Sequence, residues 1–198
     1  MARRDTLIIF VRQPALGRVK RRLAAEIGAV EARRVYDLVA CRMIARLAGG
    51  RRWRIVLAVT PDGADWRAWP RRLARIPQGG GDLGQRMGRA LRRLARPRAV
   101  LIGSDIPAAS RPAIARAFAA LGRSRFVFGP AADGGYWLIG WRRGPWPRGA
   151  LARVRWSTVH ALADSRAGLP ASAAVALVDR LADLDDEAAY RAWRARGV

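Results

Sequence analysis

The sequence predicts an α/β fold built on a mostly parallel sheet that helices cover on both faces. Apolar, β-branched runs alternate along the chain with segments of helical spacing. Those runs are also nearly continuous in apolar residues, as strands buried on both faces are. A length of 198 residues fits one domain over residues 1–198 with a sizeable core.

The first strand is expected at Thr6 to Val11, followed by helices at Val19 to Glu26 and Glu31 to Leu47. A second strand, Arg54 to Val59, precedes a helix at Leu83 to Ala95. In that helix Leu83, Met87, Leu91 and Leu94 share one face, and Arg86, Arg89, Arg93 and Arg96 form another, which reads as a solvated stripe. Strand Ala99 to Ile102, helix Arg111 to Leu121, and strands Arg125 to Phe128 and Tyr136 to Trp141 come next. Gly144 to Gly149, GPWPRG, is the one strong Pro/Gly linker and separates this long part from a short tail. The tail carries a helix at Thr158 to Ala167, a strand at Ala174 to Val178 and a helix at Glu187 to Arg196. His160 falls inside the first of these helices without Cys or His neighbours and is a poor metal ligand.

Composition narrows the function classes. No apolar run approaches the roughly 18 residues needed to span a bilayer, so no membrane span is expected. Arg3 and Arg4 are followed by Asp5 with no h-region, so nothing directs export, and the single Cys41 fits a reducing cytoplasm. The formal charge of +23 invites a nucleic-acid reading. However, 37 of the 38 cationic side chains are Arg, spread over nearly every helix, which looks like a coding bias and argues against specific nucleic-acid binding. The lone Lys20 stands out against that bias, because an ammonium and a guanidinium are not interchangeable at a tight site. Oligomeric state is not legible.

Chemistry is expected beyond the carboxyl ends of the strands. After the first strand, QPALGRVKRRL places Gly17, Arg18, Lys20, Arg21 and Arg22 at a helix start, where cations oppose the macrodipole and call for an anion such as a di- or triphosphate. GSDIP puts Asp105 at a strand end, fit either to hold Mg²⁺ or Mn²⁺ or to cap a turn. GPAADGGYWLIG offers Gly134 and Gly135 for close approach of a ligand and Asp133 for proton transfer, although the same residues suit a hairpin turn. QGGGDLGQRM can admit a base or phosphate near Gly81, with Asp82 nearby or serving only as an N-cap. In the tail, VDRLADLDDE concentrates four Asp, of which Asp183 and Asp185 are candidate metal ligands and Asp186 a helix cap. Trp156 and Ser157 read as a loop pressing on the substrate, with Ser157 capping the helix that follows.

Six segments in order, FVRQPALGRVKRRL, QGGGDLGQRM, GSDIP, GPAADGGYWLIG, RWST and DLD, resemble those of bacterial glycosyltransferase-like proteins of the nucleotide-diphospho-sugar transferase superfamily, the radical-SAM/selenodomain-associated type. They cover Leu7 to about Asp185. The chain departs from that pattern at Leu16, usually Pro, at Gln85, usually Glu, and at Asp186-Glu187, usually Thr-Pro. The resemblance implies a GT-A-like three-layer α/β/α sandwich with a mostly parallel mixed sheet, related also to 2-phospholactate and molybdenum-cofactor guanylyltransferases. By that resemblance Arg12, Gly17, Arg18, Lys20 and Arg22 hold nucleotide phosphates, and Asp105 with Asp185 holds the divalent ion. Gly134, Gly135 and Tyr136 face the sugar or acceptor. The expected activity is metal-dependent glycosyl transfer from a nucleotide-sugar donor to a small acceptor, with Lys20, Asp105 and Asp133 catalytic. Nucleotidyl transfer from an NTP to a phosphorylated small molecule is the alternative.

Overall fold

A computed structural model describes residues 4–50, 52–65 and 67–195 of the chain. Arg3 and Arg196, both named above, lie outside the described residues. The elements run β1 (Thr6–Arg12), α1 (Arg21–Ile27), α2 (Ala29–Ala48), β2 (Arg54–Thr60), β3 (Ala74–Pro77), α3 (Leu83–Leu94), β4 (Arg98–Ile102), α4 (Arg111–Ala120), β5 (Phe126–Pro130), β6 (Tyr136–Arg142), α5 (Ala161–Ala167), β7 (Val175–Leu177) and α6 (Glu187–Ala195).

All seven strands join one sheet in the order β3-β2-β1-β4-β6-β5-β7. Only β6 runs antiparallel to its neighbours, pairing β4 on one side and β5 on the other. The fold class is therefore the expected α/β fold with a mostly parallel mixed sheet. Leu7, Ile8 and Ile9 are successive and all fully buried, which is how a strand covered on both faces must look. On one face Leu7, Ile9, Val100 and Ile102 pack with Met43 and Ile44 of α2 and Ile114 and Phe118 of α4. On the other, Ile8, Leu101, Phe128 and Ile139 pack with Met87 and Leu91 of α3. No helix among the described residues is long and apolar enough to cross a membrane.

Several local expectations are corrected. β3 was not anticipated, because its residues are half-buried or exposed and an edge strand of four residues shows no apolar run. The linker Gly144 to Gly149 separates nothing: Trp146 packs edge-on to Phe126 and Trp141, and β7 from the tail pairs in parallel with β5. The α3 arginine stripe is only partly solvated, since Arg89 donates to the carbonyls of Gln78 and Gly80 and Arg86 donates to Gln78 Oε1. α5 starts at Ala161, so His160 sits at its N-cap rather than inside it, and Ser157 lies outside the helix and does not cap it.

The topology gathers the site at one edge. The parallel strands β1, β2 and β4 all end there, at Arg12, Thr60 and Ile102. Because β6 is reversed, its start at Tyr136 and the end of β5 at Pro130 lie at the same edge, joined by a tight hairpin.

Two predictions follow from the packing. A Cβ on Gly140, in the middle of β6, would lie 2.5 Å from Val127 Cγ1 and 3.2 Å from the Ala99 carbonyl oxygen. Gly140→Ala should therefore cost about 1–3 kcal/mol in urea unfolding, and an unchanged midpoint would contradict this packing. Cys41 is half-buried beside Asp37, and burial, the Asp37 charge and its hydrogen bond push the thiol up to about 12. The thiolate needed for alkylation is thus scarce at pH 8, and iodoacetamide should label native Cys41 far more slowly than the urea-unfolded chain; equal rates would refute the assignment.

Candidate active site

A cleft of about 610 Å³ opens at this edge of the sheet. One lip is cationic and comes from the end of β1, the loop into α1 and the start of α3; it carries Arg12, Arg18, Lys20, Arg21, Arg22 and Arg86. The floor is Ser104 and Asp105 after β4, with Asp183 and Asp185 from the tail. The other lip is the β5–β6 hairpin and the loop before α5, with Asp133, Gly135, Tyr136, Trp156 and Ser157.

Lys20 reaches from the cationic lip into the floor. It is the N-cap of α1 rather than part of its first turns, and it adopts a left-handed backbone (φ 48°, ψ 53°). That conformation costs a residue with a Cβ roughly 1–2 kcal/mol. It accompanies a side chain only 5% exposed, whose Nζ donates to Asp105 Oδ2 at 2.6 Å and also to Asp185 Oδ1. The anion that the basic helix start called for is thus supplied in part by the protein itself. The backbone reinforces the arrangement, because Leu184 N–H donates to the Asp105 carbonyl at 3.0 Å. Burial alone would lower the Lys20 pKa, but the two carboxylate charges and hydrogen bonds outweigh it and hold the ammonium above its usual range. For Asp185, burial works toward protonation, and Lys20 prevails to keep the carboxyl below the usual range.

Asp183 has the opposite balance. Burial and the charges of Asp185 and Asp105 push it up to about 7, and Lys20 only partly compensates. Oxygens of Asp105, Asp183 and Asp185 lie within 4.8 Å of one another. Three hard oxygen donors with a deficit of positive charge are the donor set that Mg²⁺ or Mn²⁺ takes.

A residue absent from the sequence reading organises the cationic lip. The Tyr36 hydroxyl, from α2, accepts from Arg12 N–H at 2.9 Å, reaches the Arg12 carbonyl at 3.0 Å and Ser104 Oγ at 2.9 Å. It ties the ends of β1 and β4 together one residue from Asp105. Burial raises the phenol pKa, so the group stays a neutral hydroxyl. Nothing in local sequence distinguishes Tyr36 from a core tyrosine. Gln78 is similarly hidden, with Nε2 donating to the Val11 and Ala58 carbonyls and Oε1 accepting from Arg86.

Of the site residues named from the sequence, Arg12, Arg18, Lys20, Arg22, Asp105, Asp133, Gly135, Tyr136, Trp156, Ser157 and Asp185 line the cleft. Gly17, Gly81, Asp82 and Gly134 do not line it. Asp82 forms a capping box with Gln85 at the start of α3, and Gly81 lies beside that cap. Gly134 is needed because a Cβ would lie 2.2 Å from the Val159 carbonyl oxygen, which makes its role packing against the neighbouring loop. Asp133 accepts from Gly135 N–H at 2.9 Å, so it is both the hairpin turn and a group on the cleft wall.

Comparison with known proteins gives a consistent picture. A family model described as "Uncharacterized protein conserved in bacteria (DUF2064)" matches residues 43–158. No curated protein matches the chain. The crystal structure of a protein from Desulfovibrio desulfuricans G20, provisionally described as a nucleotide-diphospho-sugar transferase, is similar with TM-score 0.80 and 28% identity, covering 92% of this chain and 82% of that one. Rv0371c of Mycobacterium tuberculosis H37Rv, solved with manganese, shares the fold at TM-score 0.52 and 19% identity over 97% and 98% of the two chains. So does a CMP:2-keto-3-deoxy-manno-octonic acid synthetase complexed with CTP, at TM-score 0.55 and 11% identity over 98% of each.

The hydroxyl of Tyr36 gives the test of this geometry. Tyr36→Phe leaves the partly buried Arg12 N–H and the buried Ser104 Oγ without that partner, and should cost about 1–3 kcal/mol in urea unfolding. A loss below about 0.5 kcal/mol would show that the two strand ends do not depend on it.

Proposed function

The chain belongs to the DUF2064 family, and from the cleft its fold builds we propose a divalent-metal-dependent transferase that takes a nucleotide-sugar donor and passes its glycosyl group to a small acceptor. The observation that carries this reading is the meeting, at the carboxyl ends of parallel strands, of a cationic lip with the Lys20, Asp105, Asp183 and Asp185 cluster.

The roles follow from the positions. Arg12, Arg18 and Arg22 meet the donor phosphates, and Lys20 adds a compact charge where the lip joins the floor. Asp105, Asp183 and Asp185 would hold Mg²⁺ or Mn²⁺, which would supply positive charge against the charge that grows on the departing nucleoside diphosphate. The acceptor hydroxyl attacks the anomeric carbon, the bond from that carbon to the diphosphate oxygen breaks, and Asp133 on the facing lip takes the hydroxyl proton. Tyr136, Gly135, Trp156 and Ser157 face the acceptor. Residues 1–198 act as one domain, the single Cys41 fits a reducing compartment such as the cytoplasm, and the dispersed arginines name no nucleic-acid target.

One observation favours a second reading, nucleotidyl transfer. A lysine ammonium seated among the metal-holding acids is well placed to stabilise pyrophosphate leaving an NTP, and the fold is shared with a synthetase solved with CTP.

A thermal-shift panel of NTPs, nucleoside diphosphates and nucleotide sugars, with and without Mg²⁺ or Mn²⁺, separates the two. A ligand at about 100 times its Kd adds about 2.7 kcal/mol of stability. The first reading expects the largest shift from a nucleotide sugar with metal, and the second from an NTP alone among donors. Lys20→Ala and Asp105→Asn should each abolish the metal-dependent shift while the protein still folds. No shift with any nucleotide would overturn both.

A further inference from the structure

The lip facing the cations has a chemistry of its own. Its described lining residues include no basic side chain, and Asp133 is their one charged group. Two guanidiniums near this lip are engaged within the protein: Arg155 on Asp164, which accepts from the Arg155 backbone N–H at 3.0 Å and from its side chain at 2.9 and 2.8 Å, and Arg180, which donates to the Ala132 carbonyl at 3.4 Å. What this lip offers instead is ring surface and hydroxyls. Tyr136 and Trp156 stand edge to face, with centroids 6.4 Å apart and planes at 69°. Ser165 Oγ lies 3.2 Å from the Tyr136 hydroxyl, so that hydroxyl is engaged within the protein and the ring is what remains for the cleft.

The loop that carries Trp156 is built under strain. Leu151, Arg153 and Ser157 all have positive φ, at 62°, 56° and 61°. Three such residues without glycine in seven positions are each strained and persist only where surrounding contacts hold them, as at ligand clamps. Those contacts are present. Thr158 Oγ1 donates to the Arg155 carbonyl at 2.8 Å, and α3 presses so closely that a Cβ on Gly84 would lie 2.3 Å from the Leu151 carbonyl oxygen and 2.8 Å from the Trp156 ring. Trp156 is thereby held at the cleft wall before any ligand arrives.

We infer that this lip is an acceptor subsite for an uncharged cyclic polyol, such as a sugar or cyclitol, and that it discriminates against the phosphate ester of the same ring. The C–H face of a polyol ring lies against an aromatic surface through dispersion, while its hydroxyls meet Asp133 and Ser157. A phosphate ester would have to lose its hydration beside the Asp133 carboxylate with no basic side chain lining this lip in exchange, which is the repulsive element that specificity requires. This inference rests on the transferase reading and narrows it to an unphosphorylated acceptor.

Saturation-transfer NMR and calorimetry on the protein saturated with Mg²⁺ and its best nucleoside diphosphate test it, using glucose against glucose 6-phosphate and myo-inositol against its monophosphate. At least one neutral probe should bind about tenfold or more tightly than its ester. Trp156→Ala should weaken that probe by about tenfold or more with nucleotide affinity unchanged, and Trp156→Phe, which keeps a ring, should retain it. Tighter binding of the esters, no binding of either neutral probe, or an unaffected Trp156→Ala variant would each overturn the inference while leaving the donor site standing. Failure of the nucleoside diphosphate itself to bind would instead bring down the transferase reading and this inference with it.

Discussion

The Lys20 ammonium, nearly removed from solvent between Asp105 and Asp185, joins three stretches of chain that are 85 and 165 residues apart. A buried ammonium is tolerable only if carboxylates surround it, and clustered carboxylates are tolerable only if a cation neutralises them. Each side of this contact therefore requires the other. The tail must return across the sheet to bring Asp185 in, and it is held there by Val178 N–H on the Phe128 carbonyl and Leu181 N–H on the Pro130 carbonyl. The left-handed backbone at Lys20 is a local cost set against this interaction. Asp183 remains the unbalanced member, and its raised pKa is the electrostatic sign that the cluster has room for more positive charge.

The reversed strand β6 gives the cleft its two unlike sides. Had all central strands been parallel, the same edge would carry only strand ends and helix starts. Inserting β6 antiparallel between β4 and β5 places a hairpin there, and with it Asp133, Gly135 and Tyr136. The α5 approach loop then packs on the hairpin through Gly134. A cationic side thus faces an aromatic, hydroxyl-bearing side across a floor of acids.

Much of this was legible in the sequence, and the parts that were not have physical reasons. Doubly buried strands such as Leu7 to Val11 declare themselves by continuous apolar residues, and the fold class follows from their alternation with helices. Lys20 was conspicuous as the one lysine among 37 arginines. Asp105 and Asp185 stood out because acids are scarce. Tyr36 was invisible, since a helix residue whose hydroxyl ties two strand ends has the same spacing as one that fills the core. β3 escaped because an edge strand needs little apolar surface. Asp82 takes the N-cap alternative, since a glycine run before a capped helix serves local turn chemistry as readily as a ligand. The large net charge divides in the same way, most of it scattered over helix surfaces and a small part concentrated on one lip of the cleft.

The central claim is that the Lys20 carboxylate cluster and the cationic lip together form one metal-nucleotide site. Titrating Mn²⁺ into the protein and following water-proton relaxation, with and without a saturating nucleoside diphosphate, reads it directly. The account predicts that nucleotide tightens Mn²⁺ binding and that Asp185→Asn removes the tightening. Mn²⁺ affinity that ignores the nucleotide, or that survives loss of the Asp185 charge unchanged, would contradict it.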